Sequence, residues 1–213
     1  FPRPMSDTPI VVFIDLPSFP GPVQAGRLWS HFRKGRESAS FEYNKEWLAN
    51  PHRFALEPLL PLTDGTFHTN PGQSVFGAIG DSTPDRWGRI LMRRAELARA
   101  RTANESPHTL SELDYLLRVN DEARQGALRF SQDGGQSFCA PPGSTPIPPL
   151  VNLSRLLHAA DHFCRDDENA EDLRLLLAPG SSLGGARPKA SVKDKKGNLC
   201  IAKFPRYDDE YNV

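Results

Sequence analysis

The stretch that decides the fold is Ser181-Ser182-Leu183-Gly184-Gly185-Ala186-Arg187-Pro188-Lys189-Ala190, followed by Gly197-Asn198-Leu199-Cys200-Ile201-Ala202-Lys203-Phe204-Pro205. Its glycine pair predicts a turn, because glycine adopts positive φ angles without steric cost. The glycine at position 197 predicts a chain reversal between two short strands. The second of these strands places Lys203 between apolar neighbours.

A glycine turn that leads into such a hairpin can bind phosphate. The segment Ser181–Ala186 can bring several backbone N–H groups together on one anion, because glycine has no Cβ to keep a phosphate away. Lys203 lies on the adjoining strand, where it supplies the cation that a nucleotide site needs. The pattern does not match GxxxxGK[ST], which argues against a P-loop ATPase. These residues alone leave open an ordinary turn before a hairpin.

Composition restricts the class of protein. The chain has 213 residues, 38% of them hydrophobic, and a formal net charge of +0, so no global field attracts it to nucleic acid or membrane. The cysteines at 139, 164 and 200 are odd in number and scattered, which favours a reducing compartment. No apolar run of about 18 residues and no signal-peptide pattern occurs, so we expect a cytoplasmic protein without a membrane span.

The amino-terminal third predicts a small β unit. Alternating and β-branched residues predict strands at 10–16, 23–32 and 38–43, with a hairpin turn at 33–36. A short helix is predicted at Lys45–Ala49. The two prolines in 54–62 permit at most an edge strand there. These strands predict a meander or a partly closed, barrel-like subdomain over 1–66.

Helical signals dominate the middle of the chain. The segment Ser82-Thr83-Pro84-Asp85 predicts a helix start, and Thr109-Leu110-Ser111-Glu112 predicts a capping box. A short strand is predicted at 126–130, and a last helix at 170–177. One further helix is predicted to begin at Asn152 with an inward apolar face made of Leu153, Leu156, Leu157, Ala160 and Phe163.

These features, taken in order, resemble HipA-family toxin kinases. The resemblance rests on the two stretches quoted first, on Phe76–Arg89, which looks like the family's first helix entry, and on Tyr43–Leu62 and Gly126–Phe130. It covers nearly the whole chain. The fold class that it implies is α+β: a barrel-like subdomain at 1–66, a mainly helical subdomain at 67–178, and the first hairpin of a kinase-like amino-terminal lobe at 179–213.

The resemblance also implies a function. HipA proteins are serine/threonine protein kinases that act as toxins in type II toxin–antitoxin systems associated with persistence. They use ATP and Mg²⁺ to phosphorylate a protein serine, and aminoacyl-tRNA synthetases are among their targets. By this resemblance, Gly184, Gly185 and Ala186 match the phosphate loop, and Lys203 matches the lysine that contacts the ATP phosphates. Ser182 matches the loop serine that some members autophosphorylate.

The catalytic set of a kinase is an aspartate that orients the hydroxyl, an asparagine and a metal-binding aspartate. In the family this set lies downstream of the matched segment, so we assign no catalytic residue here. Asp194, Asp208 and Asp209 are interpreted as solvated turn residues. We therefore expect no phosphoryl transfer, and weak nucleotide binding or none, from these 213 residues.

The partner implied is a HipB-like helix-turn-helix antitoxin, with DNA contacted only indirectly through it. The alternative function is a non-catalytic interaction module that binds such an antitoxin. The arginine-rich helix 86–101 fits a solvated face better than a DNA-binding one, because acids are interspersed. His158 and His162 have the spacing of a metal pair, but no third ligand is evident, so no metal site is assigned.

Overall fold

A computed structural model describes residues 9–138, 147, 152–180, 185 and 187–205 of the chain. It is a mixed α+β structure, which confirms the predicted class. The strands are β1 (Ile10–Ile14), β2 (Val23–Arg33), β3 (Arg36–Tyr43), β4 (Thr66–His68), β5 (Leu128–Ser131), β6 (Lys189–Lys193) and β7 (Leu199–Lys203). The helices are α1 (Lys45–Ala49), α2 (Gly77–Gly80), α3 (Arg86–Ala103), α4 (Glu112–Arg118), α5 (Leu153–Cys164) and α6 (Ala170–Gly180).

The described residues divide into two compact units. The first takes its residues from Phe1–Ser82, Ser111–Leu117 and Gly126–Cys139. The second takes its residues from Thr83–Leu110, Arg118–Gln125 and Ala140–Val213. Neither unit is continuous in sequence, because β5 returns to pair with β1 in the first unit after α3 has contributed to the second.

The first unit is built on an antiparallel sheet with the strand order β4-β3-β2-β1-β5. The predicted hairpin between β2 and β3 is confirmed, with Arg33 paired to Arg36. Lys34 and Gly35 form its turn with φ values of 48° and 76°. Positive φ at both central residues is the signature of a type I′ turn, whose twist matches that of the strands.

Strands β1 to β4 form the predicted antiparallel meander, but the predicted barrel-like closure is wrong for the described strands. Their sheet is open, with β4 and β5 as its edges. Its apolar face is covered instead by helices and loops, because Trp47, Leu60, Phe76 and Leu116 are fully buried against it. The core they form with the strands contains Ile10, Val12, Ile14, Leu28, Phe41 and Phe130.

The segment 54–62 is a series of turns, where the sequence permitted an edge strand. It is fixed by Tyr43, whose hydroxyl donates to the carbonyl of Leu60 at 2.8 Å and accepts from the N–H of Leu56 at 3.0 Å. The side chain of Leu60 is thereby held in the core. The Tyr43 hydroxyl thus links two points of this segment, and the indole of Trp47 holds a third by donating to the carbonyl of Phe54 at 3.3 Å.

The second unit packs α3, α5 and α6 against the β6–β7 hairpin. Its core contains Trp87, Leu91, Leu156, Phe163, Leu176, Ala190 and Val192. The prediction for α5 is wrong at two positions, because Leu153 and Leu157 are 37% and 42% exposed. The buried stripe of α5 is narrower than the sequence predicted and includes Ala159, which the sequence analysis did not place inward.

Two helix starts differ from prediction. The capping box of α4 is formed by Ser111 and Asp114, since each backbone N–H donates to the side chain of the other, at 2.8 and 3.1 Å. The predicted box therefore lies two residues too early. Asn152 precedes α5 as predicted, but its side chain makes no capping hydrogen bond. Within the part of the chain that the structure describes, no helix has both the length and the hydrophobicity needed to cross a membrane.

Candidate anion site at the glycine turn

Two of the four residues predicted for the phosphate site are described, and the predicted autophosphorylation residue, Ser182, is not. Gly185 belongs to the glycine turn, and Lys203 is the last residue of β7. Ser182, Gly184 and Ala186 lie outside the described residues. The contacts of Gly185 and Lys203 therefore define the candidate site within the described residues.

The β6–β7 hairpin places two lysines side by side. Lys189 is the direct partner of Lys203 in the antiparallel ladder. Directly paired residues point to the same face of a sheet, with Cβ atoms about 5 Å apart. Ala190 and Val192 lie on the opposite face, where both are buried in the core of the unit. The hairpin thus packs its apolar face inward and presents a pair of cationic side chains on the other face.

Lys189 also connects this pair to the glycine turn. A Cβ atom built on Gly185 would lie only 2.9 Å from the Nζ atom of Lys189. Gly185 has a φ of +83°, a conformation that residues with a Cβ atom rarely adopt. A glycine at this position therefore gives the backbone its conformation and leaves the space that the ammonium group uses.

Lys189 is a candidate site residue that was not predicted from the sequence. The hairpin register supplies it, because a turn centred on Lys196 pairs 193 with 199 and hence 189 with 203. The turn is held by Asp194, whose carboxylate accepts from the N–H groups of Lys196 and Asn198 at 2.8 and 2.9 Å. Once that turn is assigned, the partner of Lys203 follows by counting outward.

Trp87, in the first turn of α3, holds Gly185 and Lys189 in place by hydrogen bonds. The backbone N–H of Trp87 donates to the carbonyl of Gly185 at 3.1 Å. The indole Nε1 of Trp87 donates to the carbonyl of Lys189 at 2.9 Å, and the side chain is 2% exposed. Two hydrogen bonds from one buried residue thus fasten both ends of the segment between Gly185 and Lys189.

Asp85, the N-cap residue of α3, provides a carboxylate at the same place. It accepts hydrogen bonds from the backbone N–H of Gly185 and, at 2.8 Å, from that of Arg86. These two bonds, the first of them foremost, lower the pKa of Asp85, and the charges of Lys189 and Arg89 add to the effect. The carboxylate is therefore ionised at neutral pH and lies where backbone N–H and ammonium groups converge.

Two arginines of α3 form ion pairs within their own unit. Arg94 pairs with Glu168 at 2.8 Å, and Arg99 pairs with the buried Glu96 at 2.8 Å. Hydrogen bonding from Arg99 outweighs burial and lowers the pKa of Glu96 to about 2. These ion pairs support the interpretation of a structural, partly solvated helix face over one that binds DNA phosphates.

His158 and His162, which have the spacing of a metal pair, lie next to each other on α5. Their rings lie 4.1 Å apart, and Nδ1 of His162 is 2.9 Å from Oδ2 of Asp172. Across the described ranges, no cluster of three or more His, Cys, Asp or Glu residues could hold a metal ion. His162 and Asp172 form an ion pair between α5 and α6, which is a structural arrangement.

Comparison with known proteins gives a family match. Residues 21–131, more than half of the chain, match the family model described as the HipA N-terminal domain. No curated protein matches the chain. The matched range contains β2 to β5 and α1 to α4, and it ends before the glycine turn.

Proposed function

The chain belongs to the family of HipA N-terminal domains, and from this we propose that it is the amino-terminal portion of a HipA-like serine/threonine protein kinase toxin. The parent enzyme transfers phosphate from Mg²⁺-bound ATP to a serine of a protein substrate, with an aminoacyl-tRNA synthetase as a candidate. The glycine turn and the β6–β7 hairpin contribute the first phosphate-binding groups. The protein acts in the cytoplasm, as part of a type II toxin–antitoxin system.

The observation that carries the proposal is the pairing of Lys189 with Lys203 next to Gly185. Like charges placed directly opposite one another on a sheet destabilise it. A polyphosphate between the two ammonium groups would offset this repulsion and accept from nearby backbone N–H groups. ATP with its bound Mg²⁺ is the ligand of that chemistry which the family relationship favours.

Nucleotide titration of lysine variants tests the proposal. We expect Mg²⁺-ATP to bind the chain weakly, and Lys203→Gln or Lys189→Gln to weaken binding at least about tenfold, since each removes a charge-assisted contact. Lys195→Gln is the matched control, because Lys195 is exposed in the turn of the same hairpin. Equal effects of all three substitutions, or none from Lys203→Gln, would contradict the assignment.

Ser182 is proposed as an autophosphorylation site of the parent kinase. A phosphoserine carries a charge of about −1.5 to −2 at neutral pH, which would compete with the nucleotide for the cations of the turn. Phosphopeptide mapping of the kinase after incubation with ATP tests this. A fully unmodified Ser182 after long incubation would contradict it.

A second candidate function is a non-catalytic module that binds a HipB-like helix-turn-helix antitoxin. The observation that favours it is the extent of the family match, which ends before the glycine turn. In this case the chain binds the antitoxin, and reaches DNA only through it, without binding nucleotide. Antitoxin binding that persists in Lys203→Gln, together with no ATP binding by the unaltered chain, would favour this second function over the first.

A further inference from the structure

We propose that Asp85 is an internal competitor of the phosphate, occupying the Gly185 N–H so that an incoming polyphosphate must displace its carboxylate. The proposal rests on the proposed function, because it assumes that the turn binds nucleotide phosphate. It adds a regulatory residue from α3, about 100 positions earlier in the chain. Nothing in the sequence motif of the glycine turn points to this residue.

The contacts of Asp85 with Gly185, Arg86 and Lys189 support this proposal. The Oδ2 atom of Asp85 accepts from the N–H of Gly185, while Oδ1 accepts from the N–H of Arg86 at 2.8 Å. Lys189 adds a cation, since its Nζ lies beside Gly185 and its charge acts on Asp85. Backbone N–H groups together with an ammonium group are the donors that a phosphate uses. The carboxylate therefore accepts from the N–H of Gly185 in the way that a phosphate oxygen would.

Two anions compete at this position for physical reasons. One backbone N–H donates one strong hydrogen bond, so Gly185 cannot serve the carboxylate and a phosphate oxygen fully at once. A carboxylate left in place also repels a polyphosphate at short range. Phosphate binding therefore includes the cost of moving Asp85 away from the turn, and the affinity of the turn at neutral pH is lower than its donors alone would provide.

Displacement of Asp85 is feasible within the fold. Its side chain is exposed, so it can rotate into water without breaking packing. The turn would remain attached to α3, because the N–H of Trp87 still donates to the carbonyl of Gly185. Asparagine is as good an N-cap residue as aspartate, so Asp85→Asn keeps the helix start while removing the charge.

The test is a titration of the 213-residue chain with sodium tripolyphosphate at neutral pH and low salt. Binding is measured by calorimetry and by the NMR shift of the Gly185 amide. We expect Asp85→Asn to bind at least about fivefold more tightly than the unaltered chain, since the repulsion and the competition are both removed. The control is Asp161→Asn, which removes the same charge from an exposed ion pair with Arg165 in the same unit. The control should change the affinity less than twofold.

Each outcome decides the question. An affinity of Asp85→Asn that is unmeasurable, or no higher than that of Asp161→Asn, overturns the proposal. The double variant, with Asp85→Asn and Lys203→Gln together, separates the two assignments. If it binds as tightly as Asp85→Asn alone, Asp85 is supported as the competitor and Lys203 is not a phosphate contact. Conversely, loss of Mg²⁺-ATP binding in Lys203→Gln without any gain in Asp85→Asn overturns the competitor and leaves the proposed function standing.

Discussion

The indole of Trp87 and the backbone of Lys189 are joined by a 2.9 Å hydrogen bond between residues 102 positions apart in the chain. Trp87 lies in the first turn of α3, and Lys189 begins β6. The bond is formed inside the core of the second unit, where the ring of Trp87 also meets that of Phe163 edge to face at 5.0 Å. The position of the lysine pair is thus set by a helix that precedes it by half the chain.

Replacement of Trp87 by phenylalanine should therefore cost stability. The smaller ring keeps part of the aromatic contact but leaves the carbonyl of Lys189 without the indole donor, for a loss of about 1–3 kcal/mol. Unfolding in urea, followed by circular dichroism, measures the change. Trp29→Phe is the control, because Trp29 is only partly buried on β2 in the other unit. Equal losses in the two variants would show that the hydrogen bond contributes nothing specific.

Two glycine-to-alanine substitutions separate backbone strain from loss of the anion site. Gly185 and Gly197 have nearly the same φ, +83° and +84°, so alanine at either position should cost about 1 kcal/mol of stability. Only at Gly185 does the new Cβ meet another group, the Nζ atom of Lys189 at 2.9 Å. We expect Gly185→Ala alone to weaken tripolyphosphate binding, because the ammonium group must move. Equal weakening by Gly197→Ala in calorimetry would contradict the site.

Local signals in the sequence predicted the elements better than their assembly. The turn at Gly35 and the helix at Lys45–Ala49 follow from short-range chemistry, and the structure places both as predicted. The open sheet could not be inferred, because it depends on helices and loops covering a face that a barrel would have closed on itself. The HipA resemblance was predicted from ordered motifs and is confirmed by the family match.

The same difference between short-range and long-range signals applies to the candidate site. Lys203 was predicted from its apolar neighbours on a strand, and Lys189 could have been predicted from the hairpin register. Asp85 could not, because its proposed role depends on a contact with Gly185, 100 positions later in the chain. Its position before α3 is already explained by its being the N-cap residue of that helix. A residue that satisfies a local rule gives no sign in the sequence of a second, distant partner.

Tyr43→Phe tests what holds the loop at 54–62, where the sequence permitted at most an edge strand. The hydroxyl links Leu56 and Leu60, and its removal leaves the partly buried N–H of Leu56 and the buried carbonyl of Leu60 without this partner. We expect a loss of about 1–3 kcal/mol in the free energy of unfolding, measured in urea. Hydrogen exchange at the Leu56 amide should accelerate as well. An unchanged exchange rate would show that the Tyr43 hydroxyl does not hold the loop.

The ion pair between His162 and Asp172 predicts a pH-dependent stability of the second unit. The hydrogen bond that His162 donates to the carboxylate of Asp172 raises the pKa of His162 above its ordinary value of 6.5, and the charges of Asp172, Asp167 and Asp161 add to this. A raised pKa in the folded state means that folding favours the protonated ring. The stabilisation is therefore full below about pH 6.5 and is lost as the pH rises through the higher, folded-state value.

Comparison of the chain with His162→Gln measures this contribution. Glutamine retains a hydrogen-bond donor near Asp172 but does not titrate. We expect the unaltered chain to exceed the variant in free energy of unfolding by more at pH 5.5 than at pH 8.5, since the other histidines cancel in the difference. Asp172→Asn should abolish the same pH dependence from the other side of the pair. A difference that stays constant between the two pH values would show that His162 is not charged in the folded state.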